Sequence, residues 1–155
     1  MSVKIISGNL FDSTEQYLCH QCNVVTKKSA HLAKSVFEKF PYADVYSTRK
    51  IPEFHRAGTI SIHGNGEDQR YVINMYGQVY PGRPKYPDST KDGFIAREKL
   101  FQSCLIKISQ ISDLHSLAFP YGIGCGAAGG DWDTYLKMIN ELDSILDIPT
   151  LIYRL

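Results

Sequence analysis

Five glycines fall within nine residues of this chain, Gly122, Gly124, Gly126, Gly129 and Gly130, and their segment joins an apolar run at 116–119 to an amphipathic stretch opening at Trp132. A strand-to-helix connection needs one or two glycines. Five let backbone N–H groups crowd round a bound group, and the positive end of the following helix adds to their pull on an anion. The segment therefore reads as a phosphate or pyrophosphate cradle at the carboxyl end of a strand, in a chain whose strands feed helices.

Three other phosphate motifs overlap this stretch, and each fails at a particular residue. Gly124-x-Gly126-x-x-Gly129 has dinucleotide-fingerprint spacing, but the residues up to Leu155 leave room for one more strand where such a domain needs several. A Walker loop needs Gly-Lys-Ser/Thr where Gly130-Asp131-Trp132 stands. Cys125 in a phosphatase loop would want an arginine six residues on, and the carboxylate of Asp131 at that place repels a phosphoryl group.

The rest of the chain alternates strand and helix signals. Residues 3–7 and 17–21 read as short strands, with Asp12 and Glu15 spaced as a capping box for one helical turn between them. Leu32, Val36, Phe37 and Phe40 recur at helical spacing from Ala30 until Pro41 stops them. Residues 59–62 and 71–76 flank a turn-rich Gly64-Asn65-Gly66 and read as a hairpin. Residues 77–91, with Pro81, Gly82, Pro84 and Pro87, read as a long loop that rims a site. Phe101, Leu105, Ile108 and Ile111 mark a longer helix, 116–119 a strand, Leu136, Ile139, Leu142 and Leu146 a last helix, and 150–153 a final strand. The expectation is one α/β domain over residues 1–155, with a mixed sheet and helices on both faces.

Charge and cysteine usage exclude several classes. Seventeen Lys and Arg against 16 Asp and Glu give almost no general pull on a polyanion, so long nucleic acid is a poor partner. No apolar run is long enough to span a bilayer, the first residues lack a secretory signal, and the expected location is the cytoplasm. Cys19 and Cys22 have zinc-like spacing, yet their odd offset in a strand sends them to opposite faces and no second pair follows, so buried thiols rather than a metal site are expected.

The segments His20-Gln21-Cys22-Asn23 and Phe119-Pro120-Tyr121-Gly122 through Asp131-Trp132, with the ending Leu151-Ile152-Tyr153-Arg154-Leu155, resemble the macrodomain family over nearly the whole chain, in particular its ADP-ribose 1''-phosphate phosphatase-like and ALC1-like branches. The resemblance implies a three-layer α/β/α fold with a mixed, mostly parallel sheet, no cofactor, a monomer, and a ligand that is ADP-ribose or its phosphorylated or protein-linked form. Gly8, Asn9, Leu10 and Tyr153 would then meet adenine, with Asn9 in place of the family's usual aspartate. Gly122, Ile123, Gly124, Cys125, Gly126, Ala127, Ala128, Gly129 and Gly130 would hold the pyrophosphate. Asn23, Thr26, Lys27, Lys28 and Ser29 would meet the distal ribose, where two lysines replace a glycine run and suit an extra phosphate. Gln78 and Ala127 stand where another branch carries a lysine and an aspartate, which argues against a lysine-adduct mechanism.

Dephosphorylation of a sugar 1-phosphate needs a water, a held phosphoryl group and a proton donor. His20, expected at a strand end facing the cleft, and Asp131 are the candidate acid and base. The alternative roles are a core histidine for His20 and a helix N-cap for Asp131. Trp132 is expected to pack the last helix and His31 to face solvent or pack at the head of its helix. The competing functions are a hydrolase of ADP-ribose 1''-phosphate or of an ADP-ribosyl ester, a reader that binds ADP-ribose without chemistry, and a small nucleotide- or RNA-end-binding module, which the near-neutral charge disfavours.

Overall fold

A computed structural model describes residues 3–155. Six strands, β1 (Lys4–Ser7), β2 (Tyr17–Gln21), β3 (Ile60–His63), β4 (Tyr71–Met75), β5 (Leu117–Pro120) and β6 (Thr150–Arg154), form one sheet in the order β1-β6-β5-β2-β4-β3. Every neighbouring pair is parallel except β3 with β4, the hairpin expected from the Gly64 turn.

Three helices cover the two faces: α1 (His31–Lys39), α2 (Phe94–Ser109) and α3 (Trp132–Leu146). Strand parity assigns the layers. Tyr17, Cys19, Ile73, Met75, Leu117, Phe119 and Ile152 pack with Phe101, Cys104 and Ile108 of α2 and with Tyr135 and Ile139 of α3. Leu18, Cys22, Val72 and Ala118 pack on the opposite face with Val36 and Phe37 of α1. Cys19 and Cys22 thus lie in different layers, both as free buried thiols. Burial pushes the Cys22 thiol up to about 12 and raises that of Cys19 as well.

Helix ends follow local chemistry. Helix α1 stops at Phe40 because Pro41 disfavours helical backbone before it. Helix α3 opens at Asp131, whose carboxylate accepts from the Thr134 N–H, and closes at Asp147 in a left-handed conformation. The expected capping box at Asp12 and Glu15 does not form. The short 3-10 turn Leu10–Asp12 is capped instead by Asn9, whose Oδ1 accepts from the Phe11 N–H. A three-residue turn is too short for the N3 reach that a capping box requires. Ile111 lies beyond the end of α2 and packs against the core from a turn. Among the described residues, no helix is long and apolar enough to cross a membrane.

Adjacent parallel strands β2 and β5 send their following segments to opposite faces, β2 to α1 and β5 to α3. Such a reversal opens a crevice at the carboxyl ends of the strands, where open α/β sheets place ligands.

Candidate functional site

The crevice is a cleft of about 330 Å³, at the lower end of the range for small-molecule sites. Its walls come from the loop after β2, the start of α1, the loop after β4 and the glycine loop after β5.

The glycine loop curls because Gly122, Gly124 and Gly129 take φ near +76 to +78°, which residues with a Cβ rarely adopt. Its internal hydrogen bonds run from Cys125 to Gly122, from Gly129 to Gly126 and from Gly130 to Gly124. Among the described residues, no acceptor takes the N–H of Gly124, Gly126, Ala127 or Ala128. A Cβ on Gly126 would meet nothing within 4 Å, so the backbone there is open to an incoming group. Unengaged N–H groups beside a helix N-terminus suit an anion.

Across the cleft, the carbonyl of Asn23 is saturated. Its Oδ1 accepts from the Val25 and Thr26 N–H groups and from Thr26 Oγ1 at 3.0 to 3.1 Å. The amide Nδ2 is left as the side chain's donor toward the cleft. Tyr46 and Arg49, neither of which the sequence reading found, set this geometry. The Tyr46 hydroxyl accepts from the Asn23 N–H at 2.7 Å. The buried Arg49 donates to Thr26 O at 2.9 Å and Asn23 O at 3.2 Å, and pairs with Glu53 at 2.9 Å. These partners lie in an irregular segment about 25 residues downstream, where periodicity carries no signal.

The third wall is a fixed rim. Asp92 accepts from the Val79 and Tyr80 N–H groups and pairs with Arg97 at 2.7 Å, both side chains buried. Arg97 also donates to Gly82 O at 2.6 Å and Tyr80 O at 3.0 Å, and reaches Ala128 O at 3.4 Å, so one guanidinium joins the rim to the glycine loop. At the cleft floor, Gln78 donates to Tyr80 O and accepts from Gln21 Nε2 at 2.6 Å, which leaves Gln21 Oε1 buried without a donor.

Of the expected ligand residues, Asn23, Thr26, Lys28 and 122–128 line this cleft, whereas Lys27, Ser29, Gly129 and Gly130 do not. Gly8, Asn9, Leu10 and Tyr153 lie farther along the same carboxyl edge. Gly8 bonds to Arg154 O and packs beside the Tyr153 ring, and the Tyr153 hydroxyl donates to Glu15.

His20 does not face the cleft. It shares parity with Leu18 and Cys22, so its imidazole is buried on the α1 side, edge-on to Phe37 and hydrogen-bonded through Nε2 to Asn74. Burial is the main cause that lowers its pKa to about 4. It is a neutral core histidine, not an acid placed at a ligand. Asp131 is likewise absent from the lining. Its Oδ2 caps α3, accepting from the Thr134 N–H at 3.2 Å and hydroxyl at 2.7 Å.

Cys125 lines the cleft, but burial, with Asp131 and Glu98 nearby, pushes its thiol up to about 12, far from the thiolate a nucleophile needs. Trp132 tilts onto Tyr121 at 4.8 Å between ring centroids and packs against the core. His31 is exposed, as expected, and also lines the cleft. It opens α1 at φ 54°, where a loop arriving from a strand end must turn sharply.

No family model matches the sequence, and no curated protein is significantly similar to it. Solved structures are similar over the full chain. A protein of unknown function from Bacteroides thetaiotaomicron has a TM-score of 0.78 at 23% identity, covering 100% of this chain and 99% of that one. The macrodomain of Mycobacterium tuberculosis DarG has 0.72 at 16%, covering 99% and 97%. A Trypanosoma brucei macrodomain in complex with ADP has 0.67 at 12%, covering 99% of this chain and 64% of that one.

Proposed function

Because this chain has the macrodomain fold, we propose that its cleft binds ADP-ribose, free or attached to a protein, with the diphosphate on the glycine loop and the distal ribose against Asn23. The observation that carries this reading is the row of unengaged N–H groups at Gly124, Gly126, Ala127 and Ala128, facing the fixed donor of Asn23. A structure of the same fold holds ADP, which is the nucleoside-diphosphate part of this ligand.

A reader is the favoured form of the proposal. Neither of the two groups proposed for the phosphatase mechanism, His20 and Asp131, lines the cleft, and the Cys125 thiol is held protonated. One observation favours a second reading: Lys28 and His31 line the Asn23 side of the cleft. A phosphate on the distal ribose would meet that pair, and His31 in place of His20 would protonate the leaving oxygen of ADP-ribose 1''-phosphate.

Calorimetric titration with ADP-ribose, beside phosphate release from ADP-ribose 1''-phosphate by wild type and His31→Ala, tests both. Saturable binding without release is the reader's result. Release lost in His31→Ala supports the second reading, and absence of any binding heat removes both.

A further inference from the structure

On the α1 face, residues 42–56 close over the β3 edge of the sheet and leave a second cavity of about 540 Å³, separate from the cleft. Its floor is a hydrogen-bonded chain. Ser61 Oγ lies 2.9 Å from the hydroxyl of Tyr76 and 2.9 Å from His63 Nε2, and Tyr76 is 1% exposed.

Its wall carries the charge. Glu53 is shared by two guanidinium groups, at 2.9 Å from Arg49 Nε and 3.1 Å from Arg56 Nε. The terminal nitrogens of Arg49 are spent on the Asn23 loop. Those of Arg56, the Lys50 ammonium and the Thr48 hydroxyl have no acceptor among the described residues. Asp44 uses Oδ1 to accept from the Tyr46 and Ser47 N–H groups. Three cationic side chains therefore stand against two carboxylates already engaged, with free donors concentrated on Arg56 and Lys50.

We propose that this cavity is a second ligand site, for a small oxyanion of the phosphate class held by the guanidinium fork of Arg56 and the ammonium of Lys50. The planar fork presents paired N–H groups that match phosphate oxygens, and the compact ammonium adds a point charge. Donors from Arg56 and Lys50, with the Thr48 hydroxyl beside them, suit a tetrahedral oxyanion; a planar carboxylate would be satisfied by the fork alone. The groups facing His63 are Ser61, Arg56 and, on the same face of the sheet, His20. Burial, then Arg56, lowers the His63 pKa, so an anion beside Arg56 raises it.

The test follows the His63 imidazole by NMR, assigned with His63→Gln, while inorganic phosphate or ribose 5-phosphate is added at constant ionic strength. Three proteins are compared: wild type, Arg56→Gln/Lys50→Gln, and Gly126→Val, which fills the cradle of the cleft. The expected result is a saturable upward shift of the His63 midpoint by about one unit, kept in Gly126→Val and lost in the double variant. Saturation at lower concentration by the ester identifies a phosphomonoester site, and by phosphate a free-ion site. A His63 midpoint that no added anion moves, or a shift that persists in the double variant, overturns the proposal.

Discussion

Gly124 and Gly126 sit two residues apart in the same loop, and alanine at each should do opposite things. At Gly124, φ of +76° costs an L-residue about 1–2 kcal/mol. The added Cβ would also lie 2.5 Å from Cε2 of Tyr135, a ring 1% exposed and packed on Phe101. Overpacking of that kind costs about 1–3 kcal/mol. The sum is about 2–5 kcal/mol, which in a domain of this size lowers Tm by about 4–20 °C.

At Gly126, φ lies outside the left-handed region and the new methyl meets nothing within 4 Å. Restricting the unfolded chain should then leave stability unchanged or raise it by about 0.4–1 kcal/mol. The methyl would occupy the space in which a phosphate approaches the unengaged N–H groups, and ADP-ribose affinity should fall about tenfold or more, which is about 1.4 kcal/mol. Calorimetric melting without ligand and titration at 25 °C separate the two effects. Gly126→Ala melting as low as Gly124→Ala would refute the open geometry of the loop, and wild-type affinity in Gly126→Ala would refute the cradle.

Two further outcomes are expected. The unfolded chain protonates His20 near 6.5 and the folded chain only near 4, so stability should fall as pH drops through that window and level off below it, by about 3 kcal/mol. Denaturant melts of His20→Gln should lack that part of the pH dependence. Arg97→Ala leaves the Asp92 carboxylate buried beside the rim, which should cost about 3–5 kcal/mol. In thermal melts the Arg97→Ala/Asp92→Asn pair should recover part of that loss, because the stranded charge is gone.

The elements were largely legible in the sequence because their signals are local. Glycine punctuation gave the β5 loop, 3.6-residue spacing gave α1 and α3, and the Gly64 turn gave the hairpin. Parity in β2 was legible too and placed Cys19 and Cys22 in different layers. The same parity argument puts His20 with Leu18 and Cys22 on the α1 side, but the resemblance to a catalytic motif drew it toward the cleft.

What the sequence determined by itself is the glycine loop and its place at a strand end. Backbone freedom at Gly122, Gly124 and Gly129 and the absence of a side chain at Gly126 are properties of the residues themselves. Tertiary structure alone decided which polar groups are free to meet a ligand. Asn23 is a donor because Val25 and Thr26 saturate its side-chain carbonyl, the rim is fixed because Asp92 and Arg97 lock it to Ala128, and His20 is neutral because α1 buries it. A side chain's hydrogen-bonding capacity is written in its chemistry. Whether that capacity is already used depends on partners brought together only when the chain folds.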